Sequence, residues 1–130
     1  MPALPWTKVA PPPAEGEVVV LASRLQVRRA REVPGFLLRS LRVRRAVREV
    51  DGAIGVALDA RPFRRTFLTL SAWTDDEALG RLVAHPVHRE VMTRYHGRLV
   101  DPTFVTWRVP AGSVPPTWLD ALAHLDGVPV

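Results

Sequence analysis

Residues 65–95 set the tightest limits on what this chain can become. From 65 to 73 the side chains alternate, with Phe67, Thr69, Ser71 and Trp73 on one face and Leu68, Leu70 and Ala72 on the other, as a half-buried strand requires. The carboxylates Asp75, Asp76 and Glu77 follow, where the positive end of a helix favours negative charge. Residues 75–95 then read as helical, with a bend at His85-Pro86, because proline removes a backbone donor and disfavours helix at the residue before it. The polar and aromatic face of the strand, Thr69, Ser71 and Trp73, is expected to form one wall of a pocket.

The remaining segments fall into place around this unit. Residues 17–26 alternate Val19, Leu21, Ser23 and Leu25 against Val18, Val20, Ala22 and Arg24, so both faces are apolar and the strand is expected to be central. A first helix spans 33–50, with Pro34 in its first turn and Asp51-Gly52 at its end. Strands at 53–60 and 65–73 are joined by a hairpin-length connection, and a last strand covers 104–109. The order is β-α-β-β-α-β, an α+β ferredoxin-like unit. Two appendages flank it. Residues 1–16 hold five of the 13 prolines and read as an extended arm with Trp6 as its anchor; residues 110–130 form a second proline-rich loop and a short helix at 116–125. The expected organisation is a single domain over 1–130, with a body at 17–109.

Composition excludes several chemistries. No cysteine is present, so disulfides, thiolate catalysis and cysteine-held zinc or iron–sulfur centres cannot occur. The N-terminus lacks the basic and apolar regions of a signal peptide, and no stretch approaches membrane-spanning length, so the chain reads as cytoplasmic and without a membrane partner. Lys8 is the only lysine among 18 basic residues, and the arginines are spread along the chain instead of gathering with aromatics. That pattern points away from nucleic acid.

Polar residues placed where the pattern asks for apolar ones identify the candidate site. On the first helix, Val33, Phe36, Leu37, Leu41, Val43 and Val47 form one side, and Ser40 and Arg44 lie near its middle. An inward guanidinium needs a carboxylate, several carbonyls or an anionic ligand, because an unpaired buried charge is very costly. On the following helical segment His88, Val91, Met92 and Tyr95 share a face by i, i+3, i+4, i+7 spacing, so His88 and Tyr95 point inward. Gly55, Ala57 and Ala53 line a strand face with small residues, which suits either close helix packing or a cavity wall.

The segment from Phe67 to His88, an alternating strand closing in Ser71-Ala72-Trp73, then Asp75-Asp76-Glu77, a helix, and a histidine after a break, resembles the antibiotic-biosynthesis-monooxygenase-like group of dimeric α/β barrel proteins. The resemblance covers residues 17–109. It implies a homodimer whose sheets pair into a barrel, with a pocket between sheet and helices in each subunit, and a small organic, often aromatic, substrate. Thr69 stands where cofactor-independent members often carry an asparagine, and Ser23 is the nearest polar residue to the first-strand asparagine of haem-degrading members. In this reading Trp73 is a stacking wall, Arg44 polarises a carbonyl or holds a carboxylate, and His88 shuttles protons. Ser71, Thr69, Ser40, Tyr95 and Ser23 orient the substrate. Two alternatives stand beside it: a haem protein with His88 as axial ligand and Arg44 on a propionate, and a non-catalytic binding or structural dimer. The expected cofactor is accordingly either none or haem.

Overall fold

The computed structural model describes residues 3–127. Met1 and Pro2 of the expected arm, and residues 128–130 at the other end, lie outside that range. The ferredoxin-like core is built from β2 (Glu17–Val27), α1 (Val33–Ala46), β3 (Ala53–Arg61), β4 (Thr66–Trp73), the helix pair α2 (Asp76–Ala84) and α3 (Pro86–Arg94), and β5 (Leu99–Pro110). β1 (Ala3–Lys8) precedes it and α4 (Trp118–Leu125) follows. The five strands run in the order β1-β3-β4-β2-β5, every neighbouring pair antiparallel. Each helical crossover therefore joins parallel strands with one strand between them, and places α1, α2 and α3 on a single side.

Local chemistry explains the element ends. Asp75 caps α2 by accepting the Ala78 N–H at 2.8 Å. His85 breaks the helix pair as expected and caps α3, its Nδ1 accepting the Val87 N–H at 3.1 Å while Nε2 lies 3.4 Å from Glu49. The first helix is shorter than its expected span, because Val47–Glu49 tightens into a 3-10 turn. The last strand is longer than expected. Two residues of β5, Asp101 and Pro102, stand opposite Leu25 of β2 in a bulge, with Asp101 at φ 43, and this absorbs a proline that would otherwise end the ladder.

The proline-rich arm is not merely extended: residues Ala3–Lys8 form an edge strand on β3, irregular between Leu4 and Thr7, where Pro5 sits. Proline is tolerated there because an edge strand needs only one set of ladder bonds. The irregularity turns Thr7 to the helix side, opposite Val56, and Trp6 to the other side. A second irregularity, between Ala53 and Gly55, moves Ala53 onto the helix face beside Trp73. The small residue Gly55 therefore does not line a cavity wall, contrary to one sequence expectation. It lies under Trp6, whose indole occupies the space a side chain at Gly55 would need.

Both faces of the sheet are buried within this one chain. Val19, Trp73, Phe67 and Leu58 pack under α1, α2 and α3, whereas Val18, Val20, Ala22, Leu68, Leu70 and Ala72 pack under Trp6, Trp118, Ala121, Leu122 and Leu125. Within the chain the C-terminal segment and Trp6 cover the face away from the helices, and Trp107 on it stacks on His124 with ring centroids 3.8 Å apart. Among the described residues no helix is long and apolar enough to cross a membrane.

Gly55→Val should expel Trp6 from its seat and destabilise the chain by about 1–3 kcal/mol. Urea unfolding followed by tryptophan emission checks this; an unchanged midpoint and unchanged emission maximum would contradict the contact.

Candidate functional site

A cavity of about 410 Å³ lies between the helix side of the sheet and the helices. All eight residues singled out above line it: Ser23 from β2, Thr69, Ser71 and Trp73 from β4, Ser40 and Arg44 from α1, His88 from α3, and Tyr95 at the end of α3. Alternation puts the strand residues on the helix face, and helical spacing puts the others opposite them. Most of the wall is apolar, with Leu21, Phe36, Val43, Val56, Leu82 and Val91 among its residues, and Pro102 and the 53% exposed Phe104 extend it toward the β5 edge. Met92 also lines it and is 51% exposed; Leu41, expected to point inward, is 39% exposed at the helix rim.

The polar floor is partly self-satisfied. Ser71 Oγ accepts the Trp73 indole N–H at 2.8 Å, and Ser23 Oγ bonds to Thr69 Oγ1. Trp73 has no exposed surface, so it anchors the floor as much as it could flank a ligand, and its N–H is already committed. Tyr95 is buried against Phe36 in an edge-to-face pair with centroids 4.7 Å apart. Arg44 is half-buried, and its Nη2 donates to Thr7 Oγ1, while its Nε is buried with no partner among the described residues. Thr7 escaped the sequence reading because a proline-rich arm carries no strand periodicity from which its facing could be read.

Two histidines, His88 and His96, line the cavity, and of these His88 is the more buried. Burial lowers its pKa from the ordinary imidazole value, outweighing the Val83 backbone, which favours the protonated ring; the nearby His85 adds a further lowering. The ring is therefore neutral at physiological pH. Its Nδ1 is buried and has no partner among the described residues.

A haem would have to meet this ring through its other nitrogen. An axial imidazole ordinarily donates its second N–H to a carbonyl, carboxylate or water, which fixes the tautomer. For His88 only Nε2 could face a haem, because Nδ1 has no accessible surface, and the backbone that favours its protonated ring is that of Val83. Among the described residues no cluster of three His, Asp or Glu side chains could hold a metal ion.

Two outcomes test this arrangement. Ser71→Ala removes the acceptor of a fully buried indole N–H and should cost about 1–3 kcal/mol in urea unfolding; no loss would show that Trp73 finds another partner. The second concerns pH. Because the folded chain holds His88 below the unfolded value near 6.5, the unfolded state binds more protons in the interval between the two. Its contribution is complete above that value and is lost as pH falls through it. Urea midpoints measured from pH 7.5 to 5 should fall more steeply for the wild type than for His88→Gln, and parallel profiles would assign the effect elsewhere.

Comparison with known proteins places the fold. The solved structure of SnoaB, a cofactor-independent oxygenase from Streptomyces nogalater, superposes with a TM-score of 0.57 at 18% identity, over 69% of this chain and 90% of that one. An antibiotic biosynthesis monooxygenase gives 0.61 at 13% identity, over 68% of this chain and 95% of that one. A conserved protein from Methanosarcina mazei Go1 gives 0.60 at 13% identity, over 69% and 90%. At such identities the likeness is one of fold, and the fold is that of the antibiotic-biosynthesis-monooxygenase-like proteins. No curated protein matches the sequence. The family model described as Domain of unknown function (DUF3291) matches residues 15–128, nearly the whole chain, and the protein belongs to that family.

Proposed function

We propose that this protein binds a small, largely apolar organic molecule in the cavity between sheet and helices, and acts on it as a monooxygenase-like oxidoreductase with His88 as the proton acceptor. One observation carries the reading. Side chains from β2, α1, β4 and α3, far apart in sequence, meet around a single cavity of about 410 Å³ that has an apolar wall and a few polar groups. This is the usual make-up of a small-molecule site. The fold likeness to oxygenases supports the class of chemistry and does not supply the substrate.

A neutral imidazole can accept a proton from a bound acidic C–H or O–H at physiological pH, which is the first need of cofactor-free oxygenation. With molecular oxygen as co-substrate, an activated CH₂ goes to C=O with release of water; atoms and electrons balance without a further reductant. Arg44 would polarise the polar end of the substrate, and Ser40 and Tyr95 would orient it.

A second reading, a binding protein without catalysis, draws on the floor itself. The Ser23–Thr69 and Trp73–Ser71 pairs satisfy each other and leave few groups free for chemistry.

Oxygen uptake with a panel of hydroxylated aromatic compounds separates the two. For any compound turned over, His88→Ala should lower kcat by about 10²–10⁴-fold while binding changes little. Undiminished turnover in a folded His88→Ala variant would remove the proton-transfer role, and binding with no uptake by any compound would favour the non-catalytic reading.

A further inference from the structure

Among the described residues Arg44 is the one arginine or lysine lining the cavity, and no Asp or Glu lines it. It belongs to none of the ion pairs among the described residues. The hydroxyl of Thr7 accepts from Nη2 but carries no charge, and Nε is buried without any acceptor among the described residues. A half-buried guanidinium set against an apolar wall, with no ion-paired carboxylate among the described residues, favours an anion on the cavity side.

We propose, building on the cavity reading above, that the ligand is a compact apolar monocarboxylic acid. Its carboxylate pairs with the Arg44 guanidinium on the side that lines the cavity, while Nη2 stays with the Thr7 hydroxyl, and its apolar body lies among Phe36, Val43, Leu82 and Val91. A neutral carbonyl would take the hydrogen bond and leave the charge unbalanced. A phosphate monoester would bring close to two charges to a cavity with one fixed cation, since His88 is neutral there. One negative charge is what the lining balances.

Titration calorimetry on the full chain at pH 7.5 with naphthalene-2-carboxylate, naphthalene-2-carboxamide and 2-naphthyl phosphate tests the proposal. The acid should bind about tenfold or more tighter than the amide, and tighter than the phosphate, as a charge-assisted bond replaces a neutral one. Arg44→Met should bring acid and amide to within about threefold by weakening the acid alone. The wild-type comparison needs no variant, so it stands even if Arg44→Met folds poorly. Equal binding of acid and amide, or tighter binding of the phosphate, would overturn the carboxylate assignment and leave the cavity reading intact. No binding by any of the three would overturn both.

Discussion

A sheet whose central strand is apolar on both faces must be covered twice, and the rest of this structure follows from how that is done. Val18, Val20 and Ala22 point one way from β2 and Val19 and Leu21 the other, so neither side can meet water without losing the burial that drives folding. The ferredoxin-like crossovers supply helices to one side only. The other side is covered by the two segments outside the crossover unit: α4 with Trp118, and the edge strand that lays Trp6 over Gly55. Burial by fully occupied side chains is worth about 1.5–3 kcal/mol for each large apolar group, so both covers weigh heavily in the stability of the fold.

Covering the helix side imperfectly is what makes room for the cavity. At the α2 end, Trp73, Val47, Val50, Ala78 and Leu82 close into a dense cluster, and at the α3 end Phe36, Phe67 and Tyr95 form another. Between them the first helix presents Ser40 and Arg44, and the strands present Ser23, Thr69 and Ser71, where interior packing would call for larger apolar groups. The break at His85 contributes as well. It restarts the helix with His88 in the first turn of α3, inside the gap, while His85 is held outward by its cap and by Glu49. Two histidines three residues apart thus meet different environments, one in a helix cap and one in the wall of the cavity.

The electrostatics of the gap are correspondingly spare. Burial keeps His88 neutral, and Arg44 holds the cavity's only fixed charge, tethered through Nη2 to a threonine of the edge strand. That tether ties the cavity to β1, a strand outside the ferredoxin-like unit. Changes in the first residues of the chain can therefore reach the cavity through Thr7, and changes on the opposite sheet face through Trp6, its immediate neighbour.

Much of this was legible in the sequence because two periodicities report facing directly. Alternation put Ser23, Thr69, Ser71 and Trp73 on one sheet face, and 3.6-residue spacing put Ser40, Arg44, His88 and Tyr95 inward; each rule needs only the residue types of one element. The proline at 86 and the glycine at 52 marked helix ends for equally local reasons. What the sequence could not decide depends on contacts between elements. The strand character of Ala3–Lys8 comes from its ladder with β3, since its prolines argue against a strand in isolation. The bulge at Asp101-Pro102 exists because β2 runs past it, and the role of Gly55 exists because Trp6 lies above it. Likewise the sequence shows an apolar second face but not its cover, because an amphipathic helix and a second chain bury the same surface equally well. Only the tertiary path of the last residues assigns that cover to α4.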